Sequence, residues 1–118
     1  VENSTSFKKS MAVVGAGPVG CILAAFLAKG GHQVTLCDVI PELIAPALDR
    51  GIIIEGAETL QQPVSRTCTN IDELAGVNPD VIFITVKANA LPLLTSVIQD
   101  FYRDDMAVVS WQNGIDTE

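Results

Sequence analysis

The sequence has no long apolar run, no closely spaced cysteines, and almost no histidine or aromatic mass. No hydrophobic stretch approaches the ~20 residues of a membrane-spanning helix, which argues against a membrane partner. The three cysteines, Cys21, Cys37 and Cys68, are widely spaced and form no C-x-x-C or zinc pattern. Cys21 falls in the first predicted helix and Cys37 in the second predicted strand. Buried, unbridged thiols and a reducing, cytoplasmic setting are the expectation. The single histidine, His32, lies in a predicted turn and reads as a surface residue rather than a catalytic one. Aromatics are 5% of the chain, so the apolar mass is Val, Ile, Leu and Ala, which suits a parallel sheet covered by helices. Basic residues are scarce too. Seven Lys and Arg against fourteen Asp and Glu leave a net charge of −7, which argues against nucleic acid as a partner. A dinucleotide stays open, because backbone N–H groups can hold its phosphates.

What is present suffices for one domain with a real core: 118 residues, 48% of them hydrophobic. Residues 1–10 are polar, with no signal-peptide core, and read as a flexible tail. The chain begins with Val, so its amino end reads as processed or cut. Residues 11–118 form the predicted domain.

The domain is organised around Met11–Asp38. A short apolar run, Met11–Val14, reads as a buried strand. Gly15-Ala16-Gly17-Pro18-Val19-Gly20 follows, a G-x-G-x-x-G. A predicted helix runs from about Pro18 to Lys29 and stops at Gly30-Gly31. A second strand, Val34–Cys37, ends at Asp38. That order of strand, glycine turn, helix, strand and acid is the order a dinucleotide-binding unit needs. In such a unit the first glycine permits the sharp turn, the second lets the backbone approach a pyrophosphate, and the third packs helix on strand. The helix amino terminus supplies unpaired N–H groups and a favourable dipole. Pro18 costs little there. All six residues from Gly15 to Gly20 are therefore candidate cofactor contacts. Asp38, 18 positions after Gly20, is placed to accept hydrogen bonds from the adenosine ribose.

Further along, Val19, Ile22, Leu23, Phe26 and Leu27 match the template of a core-facing helical stripe. Val39–Arg50 reads as a short helix disturbed by Pro41 and Pro46, and because Pro46 suits a first helical turn the alternative is a start near Ala45. Ile52–Glu55 and Val64–Thr69 are both strand-like. One of them is expected in the sheet and the other at an edge or hairpin, with 56–63 as turn or loop. Asn70 or Thr69 is a candidate cap for a short helix over Ile71–Ala75. Val81–Val86 is a nearly continuous apolar run, the mark of a central parallel strand. A helix from about Ala90 to Tyr102, with Leu91, Leu94, Ile98 and Phe101 on one side, leads to a last strand, Met106–Ser110. The alternation predicts an α/β fold with a doubly wound parallel sheet, the Rossmann-type dinucleotide-binding fold, in a single domain.

In such a sheet ligands sit beyond the carboxyl ends of the strands. The polar residues at those ends are Asp38, Lys87, and Asn113 with Gln112. Lys87 could reach a ribose or nicotinamide hydroxyl or a substrate carboxylate, or be a solvated lysine. Asn113-Gly114 could be a simple turn, or Asn113 could orient a carboxamide or a substrate oxygen. An acid at residue 38, with no base through Glu42, favours the free 2′-hydroxyl of NAD over the 2′-phosphate of NADP. Arg50 is a weaker phosphate candidate.

These residues resemble the amino-terminal domain of the ketopantoate reductases. The resemblance rests on AVVGAGPVGCILAAFLAKGGHQVTL, RGIIIEG, PVSRTCT, VIFITVKAN and VVSWQNGID, and spans nearly the whole chain from Met11. It implies hydride transfer from NAD or NADP to the keto group of a 2-oxo acid such as 2-dehydropantoate, a step of pantothenate biosynthesis. It implies that Gly15, Gly17 and Gly20 hold the pyrophosphate. Lys87 would contact the cofactor near its ribose, and Asn113 would sit by nicotinamide and substrate, which makes these two the candidate catalytic residues. Two departures matter. Family members usually carry an Arg after the second strand for the 2′-phosphate of NADP, where this chain has Asp38-Val39. Members also have a second, helical domain with the lysine that acts as general acid and an acid that anchors substrate. The chain ends at Glu118, before such a domain. It is therefore expected to bind cofactor, to be inactive alone, and to expose an apolar face through which copies could pair as a homodimer. The competing readings are a non-catalytic NAD-binding sensor module and the cofactor domain of a glycerol-3-phosphate or hydroxyacyl dehydrogenase.

Overall fold

The computed structural model describes residues 9–56, 59–86 and 91–110. Strand β1 is Ser10–Val14, helix α1 Pro18–Lys29, β2 Gln33–Cys37 and α2 Pro41–Asp49. Then come β3, Ile52–Ile54, β4, Leu60–Gln62, and β5, Arg66–Cys68. A 3-10 turn over Ile71–Glu73 runs into α3, Leu74–Val77. Strand β6 is Val81–Ile84, α4 Leu91–Gln99 and β7 Ala107–Ser110.

Five strands form one parallel sheet in the order β5-β2-β1-β6-β7. Strand β1 sits at its centre. Its residues alternate between two cores. Val13 packs with Val34, Leu36, Ala24, Ala25, Ile44 and Ala47 on the face of α1 and α2. Ala12 and Val14 pack with Ile82, Ile84, Leu74 and Ile98 on the face of α3 and α4. Burial on both faces is why these strands read as apolar runs rather than as alternating ones. The doubly wound sheet is as expected, with β6 as an interior strand.

Three local expectations are corrected. The stretch 56–63 is not all loop: Leu60–Gln62 pairs antiparallel with Ile52–Ile54 as a separate hairpin. The second helix begins at Pro41, not near Ala45. Pro41 occupies the first helical turn, where its missing N–H costs nothing. Pro46 lies inside the helix, and its carbonyl accepts from both Arg50 and Gly51 N–H as the helix ends.

The third correction concerns α1. Gly20, Ala24 and Ala25 are its buried residues, while Val19, Ile22 and Phe26 are exposed at 42%, 45% and 54%. Leu23 and Leu27 flank the core. Small residues face the sheet because α1 lies so close to it. Of the expected face of α4, Ile98 is buried and Leu94 and Phe101 pack against the same core, whereas the neighbouring Leu93 is 72% exposed.

Candidate functional site

The strands all point the same way, so their carboxyl ends share one edge. There the chain leaves β1 at Gly15, whose φ is +112°. A side chain at Gly15 would run into Thr85 Oγ1. At Gly20 a Cβ would strike the Gly15 carbonyl oxygen and come within 2.9 Å of Thr85 Oγ1. Gly17 differs: among the described residues a Cβ there would meet nothing within 4 Å. The first and third glycines are thus demanded by the fold itself, and the second by none of the described residues. Gly17 is also the N-cap of α1, with no side chain capping it and no acid in the first turn. Gly17, Pro18 and Val19 are exposed. The positive end of α1 is left to solvent or to an anion.

Asp38 is tied into this turn. Its Oδ2 accepts the Ala16 N–H at 2.7 Å, and its Oδ1 accepts the Ile40 N–H at 3.0 Å. The first bond joins the acid to the glycine turn across the ends of β1 and β2. The second shapes the entry into α2. An ionised carboxylate has about four acceptor positions, so both oxygens keep capacity for further donors. Backbone bonds reinforce the join: Gly15 N–H donates to Cys37 O at 2.8 Å, and Asp38 N–H to Cys68 O at 3.1 Å.

Thr85 is a site residue that the sequence reading passed over. Its hydroxyl lies 3.0 Å from Val14 O and 3.2 Å from Gly15 O, and its N–H donates to Val14 O. It buttresses the turn from β6. The available signal was a single hydroxyl inside an otherwise apolar run, VIFITV. Asn70 caps the 3-10 turn as expected, accepting Asp72 N–H at 3.0 Å.

Beside the turn a cleft of about 750 Å³ opens among Gly15, Cys37, Asp38, Ile71, Val86 and Leu94. It is mostly apolar with Asp38 at its rim. Among the described residues no Lys or Arg lines it. Arg50 instead lines a smaller cleft, of about 320 Å³, with Cys21 and Ile53 beside α2. Lys87, Gln112 and Asn113 lie outside the described residues. His32 is far from the cleft in the fold, at the amino end of β2, where its Nδ1 accepts Lys9 N–H at 3.2 Å. Cys37 and Cys68 are buried as expected, but Cys21 is only half-buried and rests its thiol 3.3 Å from Ala16 O. Burial first, and the charge of Asp38 second, push that thiol above its ordinary range, so it stays protonated. Among the described residues no group of three or more His, Cys, Asp or Glu could hold a metal, and no helix is long and apolar enough to cross a membrane.

Fold and site together define a Rossmann-type α/β domain with its glycine turn and acid in place. Residues 11–118 match the family model for ketopantoate reductase PanE/ApbA, and the chain belongs to that family of oxidoreductases. Among solved structures, 2-dehydropantoate 2-reductase from Methylococcus capsulatus superposes with a TM-score of 0.71 at 25% identity, over 92% of this chain and 34% of that one. A PanE/ApbA family ketopantoate reductase from Ralstonia eutropha JMP134 gives 0.70 at 26%, over 89% and 34%. Prephenate dehydrogenase from A. aeolicus, solved with hydroxyphenyl propionate and NAD+, gives 0.71 at 20%, over 86% and 32%, a likeness of fold alone. A curated relative, NADPH-Fe(3+) oxidoreductase subunit beta of Geobacter sulfurreducens, is 32% identical over 77 residues, 65% of this chain and 11% of that protein. The chain thus spans about a third of the solved relatives and about a ninth of the curated one.

Proposed function

We propose that this chain is the nicotinamide-dinucleotide-binding domain of an oxidoreductase that reduces a 2-oxo acid, such as 2-dehydropantoate, by hydride transfer. The observation that carries the reading is the open space at Gly17 beside an uncapped helix terminus, with Asp38 fastened to the same turn. Gly15 and Gly20 are glycines because the protein leaves them no room. Among the described residues Gly17 has room, so a ligand lying close against its backbone is the reason a side chain there would be costly. The pyrophosphate fits against Ala16–Gly20, and the adenosine half fits the apolar cleft with its ribose hydroxyls on Asp38. A bound reduced nicotinamide supplies the hydride. The chain's own part is to bind and orient, with Lys87 near the cofactor ribose and Asn113 by nicotinamide and substrate.

NAD is the favoured cofactor. A 2′-phosphate beside Asp38 would place like charges together, and the described lining of the cleft holds no base to offset them. In this reading the protein acts in the cytoplasm, and the 118 residues are inactive by themselves, because the resemblance to the ketopantoate reductases implies a general acid from outside them. Titration with NADH and NADPH, followed by nicotinamide fluorescence, tests the cofactor reading. NADH should bind about tenfold more tightly, a difference of about 1.4 kcal/mol. Tighter NADPH binding would overturn it. Turnover of 2-dehydropantoate by the 118-residue chain would overturn the claim of inactivity.

A further inference from the structure

We propose that Cys37 and Cys68 form a thiol pair that a small hydroperoxide oxidises to a disulfide, and that this bridge weakens dinucleotide binding at the adjoining turn. The two residues are register partners on neighbouring parallel strands, each the last residue of its strand. Both belong to the core on the α3 and α4 face, and each thiol is close enough to shift the titration of the other. Paired strands lie about 4.8 Å apart. That spacing falls within the Cα separation of roughly 4.4–6.8 Å that a disulfide accepts. Cys21 packs on the opposite face of the sheet and has no such partner.

The pair also sits directly beneath the site. Cys37 O holds the Gly15 N–H and Cys68 O holds the Asp38 N–H. Cys37 lines the cleft, as does Thr69 beside Cys68, so a small oxidant reaches the pair from there. Drawing the two sulfurs together pulls on the two carbonyls that fix the first glycine and the acid. The two thiols interact, one pushed down and the other up, so that one of them ionises more readily than an isolated buried thiol would. Whichever reacts first, the other is in place to resolve it.

The thiolate of one cysteine attacks the terminal oxygen of the hydroperoxide. The O–O bond breaks, an alkoxide (hydroxide for hydrogen peroxide) leaves and takes up a proton, and that cysteine becomes a sulfenic acid. The sulfur of the other cysteine then gives up its proton and displaces the sulfenic oxygen as water, and the S–S bond forms. Two electrons pass from the thiols to the peroxide oxygens.

The affinity half of this inference rests on the dinucleotide reading, whereas the bridge does not. The 118-residue chain is treated with hydrogen peroxide, then alkylated, digested with trypsin without reduction and mapped. Cleavage after Lys29, Arg50, Arg66 and Lys87 puts Cys37 in peptide 30–50, Cys68 in 67–87 and Cys21 in a third peptide. A link between 30–50 and 67–87, with Cys21 still alkylated, is expected. Cys21→Ser should leave the link intact and Cys68→Ser should abolish it. If Cys68→Ser fails to fold, the wild-type map decides alone. NADH should bind the bridged chain about tenfold more weakly than the reduced chain, and dithiothreitol should restore it. No link, a link through Cys21, or a bridged chain with unchanged affinity overturns the inference. A reduced chain that binds neither NADH nor NADPH overturns the dinucleotide reading, and the affinity half with it, while the peptide map still judges the bridge.

Discussion

Replacing Gly20 by Ala adds one methyl group where the fold has no space for it. The new Cβ would collide with the Gly15 carbonyl oxygen and lie 2.9 Å from both Gly15 C and Thr85 Oγ1. Two of those three atoms are backbone, and Gly15 is fixed by its bond to Cys37 O. Neither can swing aside as a flexible side chain would. Helix α1 must lift away from β1, and the packing of Ala24 and Ala25 must follow. Overpacking of this kind costs about 1–3 kcal/mol, and a conflict with backbone belongs at the upper end. Alanine's better helix propensity returns about 1 kcal/mol. The net cost is about 2 kcal/mol, or about 8 °C in Tm for a domain of this size.

Two companion substitutions make the test specific. Gly76→Ala adds the same methyl in α3, where none of the described residues lies within 4 Å. It should leave stability unchanged or raise it by up to about 1 kcal/mol. Gly17→Ala also meets none of the described residues, so its melting should stay within about 0.5 kcal/mol of wild type. Its affinity for NADH should nevertheless fall at least about tenfold, because the methyl occupies the space against which the pyrophosphate fits. Thermal melts followed by circular dichroism and NADH titrations read the three variants. A Gly20→Ala protein as stable as Gly76→Ala would refute the packing argument. Wild-type affinity in Gly17→Ala would refute the placement of the phosphates.

Thr85→Val keeps the side-chain shape and removes the hydroxyl beside Val14 O and Gly15 O, so urea unfolding should show a loss of about 1 kcal/mol. Asp38→Ala removes both acceptors of the Ala16 and Ile40 N–H groups. It should destabilise the chain by about 1–3 kcal/mol in the same assay and weaken NADH more than NADPH in paired titrations. Leu36→Ala, at a fully buried position, should cost about 2–5 kcal/mol, whereas Phe26→Ser, at 54% exposure, should cost under about 1 kcal/mol. Equal losses in that last pair of melts would mean that Phe26 is a core residue after all.

Much of this fold was readable because its central strands are buried on both faces. Met11–Val14 and Val81–Ile84 stand out as apolar runs for that reason, and Gly15–Gly20 punctuates the first of them. What failed was the inference from hydrophobicity to orientation. The helical template selects large side chains, so it chose Val19, Ile22 and Phe26. The close contact of Gly20 with Gly15 brings α1 so near the sheet that only small residues fit between them. The run of Ala24, Ala25 and Ala28 carried that information, and volume rather than hydropathy was the quantity to read. The β3–β4 hairpin escaped because Leu60-Gln61-Gln62 is half-solvated and offers no apolar run. Thr85 escaped because a hydroxyl's partners, here the carbonyls of Val14 and Gly15, are some seventy residues away in the chain.

Asp38 was legible in position but not in action. Spacing after the glycine turn places an acid at the end of β2, and a ligand hydroxyl is the obvious partner for it. The structure gives its oxygens partners within the chain first, Ala16 N–H and Ile40 N–H. This is what makes the acid useful to a ligand. A carboxylate held by two backbone donors at the rim of the cleft has already lost the rotamer freedom that binding would otherwise cost. Its remaining acceptor positions face a site whose geometry is set by the same turn. A neutral diol gains from that arrangement, and a phosphate dianion meets a charge that cannot swing away. The discrimination expected against NADPH therefore comes from the carboxylate's being fixed as much as from its charge, and the bond to Ala16 is the part of the device that the sequence could not display.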